Sequence, residues 1–203
     1  MAHSDPYHHG DLRAALVRAG REILDAEGLP ALTLRAAARR AGVSHAAPYR
    51  HFADGEALLA AIATEGFAEL RAALLAPAAR ARDEDRLTDM AAAYVGFAID
   101  HPAIYRLMFG SAIPSKTAHP ALIAAGAAAY RPLAEAVAER LGAHRGPPGV
   151  RALTIGAWSL VHGIAHLLVE RQLADVAETR NPRALVRAVA QRYGAGLDAL
   201  SPE

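Results

Sequence analysis

Apolar residues recur along this chain every three or four positions, and nowhere do apolar and polar residues alternate long enough to predict a strand. The first run, Leu12, Ala15, Leu16, Ala19, Ile23 and Leu24, predicts a helix over 11–27, with Asp11 as its cap and Gly28 as its stop. Thr33 heads a short helix that reaches about Ala41, where Gly42 ends it. A second short helix is predicted over 45–51, capped by Ser44 or His45, because Pro48 lacks an N–H and fits only a first turn. Longer helices follow over 54–75, 83–100, 102–109, 120–141, 150–171 and 182–200. Asp54 starts the first of these and Asn181-Pro182 the last, while Pro77, His101-Pro102, the loop 110–117 and the linker GAHRGPPG (142–149) separate them. The pattern predicts an all-α chain of about nine helices.

Composition narrows the classes. Of 203 residues, 53% are hydrophobic and 21% charged, which is a folded and not a disordered balance. Absence of cysteine excludes disulfides, thiolate zinc sites and cysteine nucleophiles. The opening MAHSDPYHHGDLR has no basic stretch followed by an apolar run, and no stretch approaches ~18 consecutive apolar residues, so a cytoplasmic protein with no membrane association is expected. Net charge is only +1, yet between positions 31 and 52 lie Arg35, Arg39, Arg40 and Arg50, with His45 and His51 and no acid. Charge alone fits a solvated basic helix face more readily than a nucleic-acid contact, so the spacing around it decides.

That spacing is Ala38-x-x-x-Gly42-Val43-Ser44. Two short helices crossing sharply need a small residue at their contact, which is Ala38, and a turn residue that accepts positive φ, which is Gly42. Val43 can plug the gap, Ser44 can cap the second helix, and Phe52 can turn inward. The second helix then offers His45, Ala46, Ala47, Tyr49 and Arg50 to a major groove.

The stretch TLRAAARRAGVSHAAPYRHFADGEALL, 33–59, resembles the helix-turn-helix of the TetR family of bacterial regulators in its Gly-Val-Ser turn, its Tyr-x-His-Phe ending and the Glu-x-Leu-Leu that follows. The resemblance implies a three-helix DNA-binding domain over 1–53 and a helical effector-binding and dimerisation domain over 54–203. It implies that Thr33 contacts a phosphate, that Ser44, His45, Ala46 and Ala47 lie where bases are read, and that Tyr49 and His51 grip phosphates. The family commonly has a lysine three residues after that Phe, and here the position is Gly55; Arg39 or Arg50 could compensate. The two alanines offer only methyl contacts, so His45 is expected to discriminate bases while Tyr49, Arg50 and His51 position the helix.

In the helix over 150–171, Leu153, Ala157, Leu160, Ile164 and Leu167 line one face and Trp158, Val161, His162, Ala165 and Val169 another. A helix apolar on two sides is covered on two sides, and a partner subunit is the simplest second cover. The string Trp158-x-x-x-His162-Gly163 resembles the Trp-His-Gly signature of one TetR-type C-terminal class, which implies a homodimer through the last two helices, 150–171 and 182–200. His162, His166 and Glu170 share a face at spacings of four, but without a metalloprotease pattern they predict interface packing and no metal, and no cofactor is expected. The family resemblance also implies a small-molecule effector among Phe67, Tyr94, Phe97, Tyr105, Met108, Phe109, Tyr130, Trp158 and His162, in a mostly apolar pocket. The residues by themselves leave open an all-helical enzyme, though no catalytic motif joins the histidines, and an interaction protein with a vestigial helix-turn-helix.

Overall fold

A computed structural model describes residues 12–78, 85–141, 147–173 and 181–198. Among these are eight α-helices: α1 (Leu12–Glu27), α2 (Leu34–Arg40), α3 (Gly55–Ala78), α4 (Arg86–Asp100), α5 (Pro102–Phe109), α6 (Pro120–Leu141), α7 (Pro147–Val169) and α8 (Pro182–Asp198). Three 3-10 turns, Leu29–Ala31, Ala47–Arg50 and Lys116–Ala118, complete the described secondary structure, and it contains no strand. The predicted helices correspond to the eight α-helices plus the turn Ala47–Arg50.

Three expectations need correction. The segment predicted as a helix over 45–51 is 3-10 and shorter: Pro48 has no N–H to return to Ser44, and Ala47 N–H instead bonds the Ser44 carbonyl three residues back, at 3.0 Å. Its cap is Ala46, with no side-chain cap bond, so neither Ser44 nor His45 caps it. The linker 142–149 is cut short because α7 begins at Pro147: Pro147 and Pro148 fall in a first turn, where an N–H has no intrahelical acceptor. Asp11 and positions 83–84, 142–146 and 199–200 of the predicted boundaries lie outside the described residues. Elsewhere the caps are as expected: Thr33, Asp54 and Asn181 side chains accept from Ala36, Ala57 and Ala184 N–H at 3.1, 2.8 and 3.1 Å.

The chain divides into two compact units. One joins residues up to 66 with 103–124; the other joins 67–102 with the chain from 125 onward. In the first, the apolar stripe of α1 (Leu16, Val17, Ile23, Leu24) is buried along with Ala37 and Ala38 of α2, Leu58 and Ile62 of α3, and Ile104, Leu107 and Met108 of α5. Each such large side chain contributes about 1.5–3 kcal/mol by leaving water. A Cβ at Gly66 would stand 2.6 Å from Ile104 Cγ1 and 2.8 Å from Met108 Sδ, so α3 and α5 pack there at a distance only glycine permits.

In the second unit, α4 packs against α7 and α8. Val137, Leu141 and Ala157 form a buried cluster flanked by Leu133, Leu153 and Tyr193. Tyr193 hydroxyl donates to the Leu153 carbonyl at 3.0 Å, and burial raises its pKa. Arg183 and Arg187 of α8 pair with Asp100 and Asp89 of α4 at 2.7 and 2.6 Å. The buried face of α7 runs through Thr154, Ala157, Val161, Ala165 and Val169, while Ile155 and Leu167 stay 44% and 36% exposed. The span Pro148–Val169 is apolar enough on average to cross a membrane by length and composition, with mean hydropathy 1.6, although Arg151, His162 and His166 interrupt it. Only 28% of its most apolar window is buried inside the chain. The apolar surface the sequence assigns to this helix therefore exceeds what the described residues cover.

Candidate nucleic-acid interface

The turn between α2 and the 3-10 segment follows from backbone accounting. Gly42 takes φ +70°, Val43 N–H reaches back to the Ala38 carbonyl at 3.0 Å, and Gly42 N–H to that of Arg39 at 3.2 Å. These two bonds form a Schellman motif, which closes the helix and redirects the chain. Ala37 and Ala38 are wholly buried, so α2 lies tight against its neighbours where the sequence called for a small residue. Beyond the turn, Phe52 is buried under the Arg13 guanidinium, 5.4 Å from its ring centroid. Phe52 is held inward while Tyr49 and Arg50 stay exposed.

The resulting surface carries most of the expected reading residues. Thr33, Arg39, Ser44, His45, Ala46 and Arg50 are exposed, Ala47 and His51 half-buried, and Tyr49 is 55% exposed, high for a tyrosine. The Thr33 oxygen accepts the cap bond, so its hydroxyl proton can still be donated. The four arginines separate into two kinds. Arg40 is held by Glu27, and lies 3.7 Å from Glu22, both on α1. The side chains of Arg35, Arg39 and Arg50 make no hydrogen bond or ion pair among the described residues. Positive charge counted from the sequence is thus partly neutralised from the neighbouring helix, which residue order does not show. A cavity of about 250 Å³ lies beside this surface, lined by Ile23, Glu27, Ala36, Arg39 and Arg40.

At the start of α3, a Cβ on Gly55 would meet no atom within 4 Å, so nothing steric forbids a longer side chain there. Its neighbour Glu56 was absent from the expected reading residues, yet it ties two distant segments together. One of its carboxylate oxygens accepts the Ser115 N–H at 3.0 Å and lies 3.3 Å from His119 Nε2. These contacts span 59 and 63 residues and follow no periodicity. The Glu-x-Leu-Leu motif marked Glu56 without indicating its partners.

The large side chains proposed for an effector are distributed over both units. Tyr105, Met108 and Phe109 belong to the first unit, and Tyr105 and Met108 are fully buried, the rings of Tyr105 and Phe109 lying 5.0 Å apart. Phe67, Tyr94, Phe97, Tyr130, Trp158 and His162 belong to the second. There, Phe67 lies over Gly126, its ring 3.8 Å from where a Cβ would be, and Phe97 stacks at a tilt on His101 at 5.2 Å. The other four make a chain of contacts across α4, α6 and α7. Tyr130 meets Trp158 edge-on at 6.0 Å, Trp158 meets His162 at 5.4 Å, and Tyr94 hydroxyl sits 2.8 Å from His162 Nδ1. Burial, with a smaller contribution from nearby His166, lowers the His162 pKa, and burial raises that of Tyr130 against the opposing field of Arg151. Unprotonated, His162 Nδ1 can accept the Tyr94 proton. No group of three or more His, Cys, Asp or Glu that could hold a metal ion is present among the described residues.

Similarity to known proteins bears on the whole arrangement. Residues 16–62 match the family described as bacterial regulatory proteins, tetR family, and residues 87–193 match the tetracyclin repressor-like C-terminal domain. An HTH-type transcriptional regulator of Mycobacterium tuberculosis is 31% identical over 116 residues, covering 54% of this chain and 48% of its own length. The chain thus spans about half the length of the curated relatives it matches. A solved structure of a Rhodococcus sp. RHA1 protein of unknown function is 34% identical, covers 96% of this chain and 100% of its own, and superposes with a TM-score of 0.81. A bacterial regulatory protein in the tetR family, also from Rhodococcus RHA1, shares the fold at TM-score 0.64 with 21% identity, covering 91% and 96%. The C-terminal match covers 87–193 of a 203-residue chain and the helix-turn-helix match precedes it, so the chain belongs to the tetR family of bacterial regulatory proteins, a class of regulators and not of enzymes.

Proposed function

We propose that this chain is a DNA-binding transcriptional repressor that grips a palindromic operator as a homodimer and is released by a small-molecule effector. The observation that carries the reading is the surface around the Gly42 turn, where Arg39, Arg50, Tyr49, His45 and Thr33 are exposed while Ala38 and Phe52 are buried. Tyr49, Arg50, His51 and Thr33 supply donors of the kind that position a protein on phosphates, and His45 supplies the ring that can distinguish a base edge. Methyl groups of Ala46 and Ala47 suit thymine. The helix-turn-helix is assigned to 1–53 and the effector and dimer functions to 54–203.

Dimerisation is assigned to α7 and α8. The uncovered apolar side of α7, with Ile155 and Leu167 exposed, supports a second copy as its cover, and a cytoplasmic, membrane-free protein follows if a partner helix fills that role. Two copies would set their recognition turns about one DNA turn apart, ~34 Å. The effector site is assigned to the Tyr94, Tyr130, Trp158 and His162 group, a ligand there favouring a form whose turns are wrongly spaced. Selection of bound sequences from a random duplex pool tests the reading. Enrichment of an inverted repeat is expected, and no enrichment at low salt would overturn it.

A further inference from the structure

The segment 103–124 belongs to the same compact unit as the helix-turn-helix, and it is fastened to α3 at two points. Near Gly66, α3 is pressed against Ile104 and Met108 of α5. Near its start, Glu56 accepts the Ser115 N–H at 3.0 Å and faces His119 Nε2 at 3.3 Å. Lys116 links the two points by donating to the Met108 carbonyl at 3.2 Å. Glu56 and His119 keep only 26% and 21% of their side-chain surface, so this contact is partly shielded from water. Glu56 also lies four residues after Phe52, which anchors the recognition turn.

We propose that Glu56 is a positioning residue for DNA binding: its carboxylate latches the start of α3, and with it the recognition turn, onto the loop that joins α5 to α6. The proposal rests on the DNA-binding reading above and adds a route by which the segment 103–124 governs it. Electrostatics alone makes the opposite forecast, because removing an acid close to a DNA-facing surface should tighten binding. The sign of the effect therefore separates the two.

The test uses the full chain with Glu56→Ala and Glu56→Gln, the second keeping an oxygen that can accept the Ser115 N–H. In the free protein, hydrogen exchange at Ser115 should speed up in Glu56→Ala and stay close to wild type in Glu56→Gln, while α1 amides are unchanged in both. Against a palindromic duplex selected by the wild type and a scrambled duplex of equal length, Glu56→Ala should lose about tenfold in affinity for the first and little for the second, within the usual range of coupling effects. A merely unfolded fraction would lower both alike. Unchanged exchange at Ser115 overturns the latch. Tighter or unchanged binding of the palindrome by Glu56→Ala overturns its role in positioning. Failure of the wild type to bind any duplex, with the exchange result as expected, instead overturns the DNA reading on which that role depends.

Discussion

Single side chains carry the chemistry, and several substitutions follow from their surroundings. Gly55→Lys adds a cation where nothing within 4 Å obstructs a Cβ. It should tighten duplex binding at low salt and steepen the logarithmic salt slope by about 0.9, the expected increment for one new phosphate contact. Tyr49→Ala should weaken binding to all duplexes alike, because a phosphate-positioning hydroxyl carries no base information; a changed sequence preference in the same assay would contradict the division of labour with His45. His162 titrates in a definable direction. Its folded pKa lies below the unfolded value, so the unfolded chain takes up the proton first as pH falls. Its contribution to stability is full above the unfolded pKa, about 6.5, and declines as pH drops from there toward the folded value. Among the groups facing it are Tyr94 from α4 and His166 and Trp158 from α7. Melting temperature should fall more steeply below neutrality in the wild type than in His162→Gln, and parallel curves would contradict this.

Helices were legible where burial is periodic. The stripe of α1 and the caps Thr33, Asp54 and Asn181 were readable because local bonds and spacing of three and four decide them. The recognition segment around Pro48 is 3-10 where periodicity predicts α, since the loss of one N–H at Pro48 acts on a helix too short to absorb it. Gly42 was legible because a positive φ has few tolerant residues. Gly42→Ala should destabilise by roughly 1–2 kcal/mol through that backbone strain alone, measurable in a urea melt. By contrast, Glu56 with Ser115, and Arg40 with Glu27, pair residues far apart in the chain, and no local pattern encodes such contacts. The large side chains expected at an effector site fall in both units, and size and hydrophobicity alone do not say which neighbours a side chain will meet.

For the chain as a whole, surplus apolar surface is the leading clue to assembly. The exposed Ile155 and Leu167 lie on a helix whose most apolar window is only 28% buried. Leu167→Glu, which puts a charge in that surface, should shift the chain toward monomer in sedimentation and weaken palindrome binding by more than half-site binding. A dimer that persists would place the interface elsewhere. The central claim is that the exposed side of the Gly42 turn is a DNA-gripping surface. Its most direct test is one fluorescence titration of a palindromic duplex from the chain's own upstream DNA, at low salt, with wild type and Tyr49→Ala in parallel. Saturable binding by the wild type and a clear loss in Tyr49→Ala are expected; absence of wild-type binding, or equal affinity of the two proteins, would contradict the account.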